Sequence, residues 1–218
     1  MSSKELKHHR RAIYIDIESS FWAGPPPPGL AHSIIEIAFV EMDLQTLTIT
    51  REKAHFVRPT RWDISDRCTR FTGITSGDIR TACPFPEVIT SLTTQFAPSD
   101  ALCCTWGNDA VPIAATCHEH GLRMPLRNLL DLAQLFQGLF LLKQAASLRA
   151  AVSMLGLEFE GIPHGALPDA RNTALVHAAV LRRMRRQPDL LPAVAEGSTQ
   201  PPGLTLFGEK LRDALQGG

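Results

Sequence analysis

The chain has 218 residues, 44% of them apolar and 20% charged, a balance that excludes a disordered chain and allows one ordinary domain with a buried core plus a tail. Its 22 basic and 22 acidic side chains cancel, which excludes the overall basic excess of a tight non-specific nucleic-acid binder and makes any such footprint local. Five cysteines, an odd number without the two-residue gap of a zinc knuckle, argue against a disulfide framework and for buried free thiols in a reducing compartment.

The N-terminal segment 1–10 is polar and basic and lacks the apolar centre of a signal peptide, so the cytoplasm is the expected location. The basic runs Lys4 to Arg11 and Arg182 to Arg186 read as solvated faces. Arg11 to Glu18 alternates β-formers and ends in carboxylates, which predicts a first strand. Pro25 to Pro28 then excludes helix and central strand. Two further strands are expected over Ser33 to Met42 and Leu47 to Val57, with a turn near Asp43 to Thr46. Trp62 to Ile79 reads as mixed and turn-rich, and Phe85 to Phe96 as a helix with Val88, Ile89, Leu92 and Phe96 on one face.

A short buried strand is expected over Ala101 to Trp106 and a helix over Asp109 to His120, stopped by Gly121. Asn128 to Leu132 predicts a strand leading into a helix up to about Leu142. Asp131, Gln134, Gln137 and Lys143 interrupt the apolar stretch Leu129 to Leu148, which reads as core and not as a membrane span. Ser147 caps a helix ending at Gly156, and a final helix starts at Pro168 and runs to about Arg186. The order predicts an α/β domain with a mixed five-stranded sheet flanked by helices, over residues 11–187. Residues 188–218 read as a Pro/Gly-rich linker and tail, with a short amphipathic helix over Leu204 to Leu215.

Five residues stand out chemically. Asp16 and Glu18 are two apart on a strand and so share a face; taken alone, an exposed surface pair explains them equally well. Asp109, in Trp106-Gly107-Asn108-Asp109, follows a buried strand and is also a good helix N-cap. His164 and Asp169 lie in a Gly/Pro-rich loop and the first helical turn after it, where Asp169 also suits the helix dipole. Glu36, in Ile34-Ile35-Glu36-Ile37, reads either as support for a metal site or as an edge polar residue, and is left outside the site. Phe21 and Trp22 border the cleft or belong to the core.

In this order, Asp-x-Glu, a later Asp, then His and Asp, the chain resembles the DEDDh branch of the DnaQ-like 3′→5′ exonucleases, which have a ribonuclease H-like fold. Within them it looks most like the Eri-type, histone-mRNA 3′-exonuclease-like group. Supporting segments are Ser33 to Ile37, Cys68-Thr69 with Phe71-Thr72-Gly73-Ile74-Thr75, and Asp169 to Ala174. The resemblance spans about Arg11 to Arg186 and implies two divalent ions, Mg²⁺ or Mn²⁺, which favour oxygen ligands and assist phosphodiester hydrolysis. It implies that Asp16 bridges both ions, that Glu18 and Asp169 hold the one carrying the nucleophile, and that Asp109 acts directly or through water. His164 would be the general base, since imidazole exchanges protons near neutral pH. Phe71, Thr72, Gly73 and Ile74 would receive the terminal nucleoside by ring stacking and backbone donors, with Glu18 and His164 also touching substrate. Standing alone, Phe71 reads as a core ring beside a turn glycine.

The implied substrate is the 3′ end of single-stranded nucleic acid, RNA before DNA, degraded to 5′-mononucleotides, with no membrane partner. A DNA proofreading or repair exonuclease and a non-catalytic nucleic-acid-binding module are the rival readings. Pro168 stands where the family often has an acidic residue and Ser19 near a frequent Thr, which leaves a ribose contact at Ser19 open.

Overall fold

The computed structural model describes residues 8–186. The first seven residues of the basic extension, and the expected linker and tail from residue 188 onward, lie outside the described residues. The chain divides into two compact units, one through Ala178 and one from Ala179. The first holds the sheet and its helices; residues 179–186 of the second are helical.

The sheet has six strands: β1 (Arg11–Ser19), β2 (Ile34–Asp43), β3 (Thr48–Arg58), β4 (Cys83–Pro84), β5 (Leu102–Thr105) and β6 (Asn128–Asp131), in the order β4-β3-β2-β1-β5-β6. Five were expected. The additional strand is the two-residue β4, paired in parallel with the end of β3 through Val57 and Arg58; two residues are too few for any periodicity to announce them. The front strands β1, β2 and β3 pair antiparallel, whereas β5 and β6 run parallel behind β1. The turn between β2 and β3 forms because Asp43 Oδ1 accepts hydrogen bonds from the backbone N–H of Gln45 and Thr46, at 2.9 and 2.7 Å.

β1 is central, and Ala12 to Ile15 are enclosed on both faces. Ile13 and Ile15 point into the main core with Ile37 and Phe39 of β2 and Phe85, Val88, Ile89, Leu92 and Phe96. Burying each such side chain contributes about 1.5–3 kcal/mol. A β-bulge changes this pattern near the end of β1. Glu18 pairs with Glu36 while Ser19 pairs with Ile34, so Ile35 is the extra residue. Ile34 therefore joins the main core, and Ile35 packs into a second cluster with Ile64, Cys68, Ile74 and Ile79.

Helices follow the sequence closely with two corrections. The segment expected to be turn-rich contains α1 (Asp66–Thr72) and α2 (Ser76–Thr81). Each is short, and each starts on a cap: Ser65 accepts from Cys68 N–H, and Thr75 and Asp78 form a reciprocal capping box. α3 (Phe85–Phe96), α4 (Ala110–Glu119), α5 (Leu132–Leu139) and α6 (Leu148–Met154) follow, the last capped by Ser147 Oγ. The final helix α7 (Ala166–Arg186) begins two residues before the expected Pro168. A proline is tolerated there because first-turn N–H groups have no partner within the helix. Among the described residues, no helix is long and apolar enough to cross a membrane.

Arg11 is not a solvated face. Its guanidinium reaches Glu41 Oε2 at 2.7 Å and the carbonyls of Phe96 and Ala97 at 2.6 and 2.7 Å, tying β1 and β2 to the end of α3.

Candidate active site

Even-numbered residues of β1 face α7: the Tyr14 hydroxyl lies 2.7 Å from His177 Nδ1. Continuing along that face, Asp16 and Glu18 come to lie opposite the first turns of α7. Carboxylate oxygens of Asp16, Glu18 and Asp169 all fall within 4.8 Å of one another. The strand period, the parallel placement of β5 and the docking of α7 thus gather groups that are far apart in the chain.

Asp109 is at the N-cap position of α4, yet its side chain makes no capping hydrogen bond, and its buried Oδ2 has no partner among the described residues. The simple capping explanation therefore fails. Asp169 Oδ2 accepts from the His164 backbone N–H at 3.4 Å, while its buried Oδ1 also has no partner among the described residues. Leaving charged oxygens buried and unmatched is costly. A hard cation would supply the missing interaction, and an all-carboxylate donor set suits a divalent ion that prefers oxygen. The residues present fit such a group.

Electrostatics agree. Burial, reinforced by Asp109, Asp169, Glu18 and Glu36, pushes the Asp16 carboxyl well above its ordinary range. Burial first, then Asp169, Glu36 and Asp109, raises Glu18 to about 8. Burial, then Asp131 and Asp169, raises Asp109 to about 7, and burial raises Asp169. All four shifts favour the protonated forms, and a bound cation would oppose them.

His164 is exposed and adopts φ 68°, a left-handed conformation uncommon for a residue with a Cβ. Its ring stacks on Phe71, centroids 3.9 Å apart and planes at 30°. Phe71 is 51% exposed, so it is not a core ring; its other neighbour is Phe21, edge-on at 5.6 Å.

The rest of the expected nucleoside pocket differs from the sequence reading. Phe71 and Thr72 end α1, and Gly73 is its left-handed C-cap with φ 78°. The Gly73 N–H donates to Thr69 O at 2.8 Å and the Ile74 N–H to Thr72 Oγ1 at 3.1 Å. Both amides expected to face a ribose are therefore engaged, and the Ile74 side chain is buried in the second cluster. Phe71 and the Thr72 side chain remain at the surface of this corner.

Two acidic residues join the site that the sequence reading left out. Glu36 lies opposite Glu18 across the strands, and its Oε2 accepts the Ala166 N–H at 2.9 Å, fastening the start of α7 to β2. The signal was a carboxylate inside an Ile-Ile-Glu-Ile run, where an apolar residue is the norm. Asp131 caps α5 and also accepts the Gly107 N–H at 3.0 Å, holding the segment that carries Asp109. Its signal was an Asp at the β6–α5 junction, the same placement as Asp109 after β5.

A family model described as Exonuclease (RNase_T) matches residues 13–177. Over 189 residues the chain is 31% identical to ERI1 exoribonuclease 2 of Danio rerio, covering 75% of this chain and 34% of that protein. It is 25% identical over 181 residues to 3′-5′ exoribonuclease 1 of Homo sapiens, covering 77% and 51%. The chain thus spans about a third to a half of the length of these curated relatives. The solved nuclease domain of 3′hExo, a DEDDh family member bound to rAMP, superposes with a TM-score of 0.72 at 24% identity, covering 81% of this chain and 94% of that one. A 3′-exonuclease structure describing recognition of the histone mRNA stem-loop gives 0.74 at 23%, covering 81% and 65%. These likenesses establish a shared fold, and the family model runs from the strand of Asp16 and Glu18 through the helix of Asp169: this chain belongs to the exonuclease family.

Proposed function

We propose that this chain is a metal-dependent 3′→5′ exonuclease that hydrolyses single-stranded nucleic acid, RNA in preference to DNA, to 5′-mononucleotides. The observation that carries this is the convergence of carboxylate oxygens of Asp16, Glu18 and Asp169 within 4.8 Å, with Asp109 near enough to raise Asp16, and with one buried oxygen each of Asp109 and Asp169 lacking a partner among the described residues. The names of the sequence relatives, both exoribonucleases, support RNA.

Asp16, Glu18 and Asp169 would hold the divalent ions, Mg²⁺ or Mn²⁺, with Asp109 completing the set directly or through water. Bound there, the ions would activate the attacking water and neutralise charge on the leaving oxygen. His164 accepts the water proton at an imidazole nitrogen. The water oxygen bonds to phosphorus as the bond from phosphorus to the penultimate O3′ breaks; that oxygen takes up a proton from solvent, and the terminal nucleotide leaves with its 5′-phosphate. Glu36 and Asp131 orient the segments bearing Asp169 and Asp109 through the Ala166 and Gly107 amides. Phe71 offers its exposed ring to the terminal base. The cytoplasm is the proposed location, supported by five free thiols.

The test uses the full chain with end-labelled single-stranded RNA and DNA, with and without Mn²⁺ or Mg²⁺. Stepwise shortening from the 3′ end that needs the ion and is blocked by a 3′-phosphate is the expected result. Full activity in excess chelator, or equal cleavage of a circular strand, contradicts it.

A further inference from the structure

On the face of the sheet opposite the carboxylates is a cavity of about 390 Å³ that the catalytic reading leaves unused. None of Asp16, Glu18, Asp109 or Asp169 lines it, but Ser19, the residue after Glu18, does. Its apolar floor includes Ile34, Val57 and Phe85, which belong to the main core packed on the other face of the sheet from Tyr14 and His177. The two sites therefore lie on opposite faces and approach each other at the end of β1.

One wall is the segment from Gly29 to Ser33, directly after the Pro25–Pro28 run. Four prolines restrict the backbone ahead of it, and the wall is fastened to the end of β1. Ser20 N–H donates to Ser33 O at 2.9 Å, Ser33 N–H donates to Ser20 Oγ at 3.1 Å, and His32 Nδ1 lies 2.8 Å from Ser20 O. The polyproline loop thus has a product: a built wall in place of an unstructured excursion.

The lining is suited to an anion carrying a flat ring. Arg61 is exposed at the cavity, its Nη1 4.0 Å from where a Cβ on Gly29 would stand, and no ion pair or hydrogen bond engages it among the described residues. The His120 ring is held nearly parallel to Phe85, centroids 5.9 Å apart and planes at 19°. Arg61 and Glu119 are the charged groups on the lining, with the rings of His32 and His120 beside them. Single strands are bound by such pairing of a cationic side chain with ring or apolar platforms, and the volume falls in the range of roughly 300–1,000 Å³ typical of small-molecule clefts.

We propose that this cavity is a subsite for an upstream nucleotide of the strand whose 3′ end occupies the carboxylate cleft, with Arg61 pairing with an internucleotide phosphate. The subsite rests on the exonuclease reading for its substrate class. It makes turnover depend on strand length: a dinucleotide engages the carboxylates alone, and a hexanucleotide engages both sites.

The experiment compares wild type, Arg61→Ala and Ala115→Trp, which fills the cavity from an exposed position on α4. KM is measured for a dinucleotide and a hexanucleotide in Mn²⁺, and hexanucleotide binding in Ca²⁺ across a salt series. Both variants should raise the hexanucleotide KM, Arg61→Ala by roughly 2–5-fold, the range of an exposed ion pair, with a smaller change for the dinucleotide. The slope of log affinity against log salt should become shallower by about 0.7 in Arg61→Ala, one single-strand phosphate contact. Equal effects on both lengths, or a wild-type hexanucleotide KM in both variants, overturn the subsite while the exonuclease reading stands. Arg61-dependent hexanucleotide binding without cleavage by the wild type overturns the catalytic reading and leaves the subsite standing. Absence of both binding and cleavage overturns both.

Discussion

His164 and Phe71 lie against each other, ring centroids 3.9 Å apart, so the group proposed to take a proton and the ring proposed to stack on a base occupy each other's approach. On the proposed reading, a terminal nucleobase stacking on Phe71 would displace the imidazole and free it to turn toward the scissile phosphate. Phe71→Ala should weaken binding of a 3′-terminal nucleotide by roughly 1–3 kcal/mol. It should also remove the ring-current shift of the His164 ring protons. In the wild type, titration with a 5′-mononucleotide should move those resonances toward their Phe71→Ala positions. Unchanged resonances at saturation would mean that the stack persists in the complex.

His164→Ala should lower single-turnover rates by roughly 10²–10⁴-fold, the range for a positioned acid–base group. Affinity measured in Ca²⁺ should not fall, because losing the ring removes no metal ligand and leaves the Phe71 face open to the terminal base. Wild-type turnover in this variant would assign the proton to another acceptor.

The carboxylate cluster predicts a stabilising cation with a defined pH dependence. Glu18 is raised from 4.5 to about 8, so the metal-free native state holds a proton that the unfolded chain releases. That stabilisation is fully present below pH 4.5 and is lost as pH rises through about 8. Mn²⁺ competes with these protons, so its upward shift of Tm should be larger at pH 8 than at pH 5, following mass action. Asp16→Asn should abolish most of the shift at both. Equal shifts in the variant and the wild type would locate the ion elsewhere.

His177 gives the opposite slope. The residue is 6% exposed, and burial lowers its imidazole from 6.5 to about 4. The 2.7 Å contact with the Tyr14 hydroxyl suits a neutral ring whose Nδ1 accepts. Here the unfolded chain binds the extra proton, so stability is complete above pH 6.5 and falls as pH drops toward about 4. The loss is on the order of 3 kcal/mol. Urea titrations across this window should show the slope in the wild type and a flatter one in His177→Gln, whose side chain does not titrate. A wild-type slope in that variant would assign the acid sensitivity to another group.

Much of this was legible from residue type and spacing. Period two placed Asp16 and Glu18 on one face, and the caps Ser147 and Gly156 bounded α6 closely. Asp109 was ambiguous for a physical reason: a metal ligand and an N-cap both call for an Asp just before a helix, and the difference is whether its oxygens meet N–H groups. Glu36 stayed open between two readings and Asp131 drew no notice as a site residue, because their partners, the Ala166 and Gly107 amides, come from segments distant in sequence. The Ile74 amide was expected to serve the substrate, but a threonine two residues earlier bonds to it. Sequence spacing also gave no hint that Phe71 and His164 would stack, since the contact depends on how α1 and the loop before α7 are held.

The extra residue in β2 acts as a phase shifter for the whole corner. Ahead of it, Ile34 belongs to the main core; beyond it, Glu36 lies opposite Glu18 and reaches the first amide of α7. Deleting Ile35 makes Ile34 and Glu36 neighbours on opposite faces, so both keep their places and the ladder closes without its bulge. What is lost is the Ile35 side chain, which fills the second cluster with Ile64, Cys68, Ile74 and Ile79. The deletion should therefore lower stability by roughly 2–5 kcal/mol, the range for emptying a buried Ile position, while the Tm shift caused by Mn²⁺ persists. The inserted residue is what lets Ile34 and Glu36, two apart in sequence, face opposite sides of one strand while a third side chain seals the corner beneath α1.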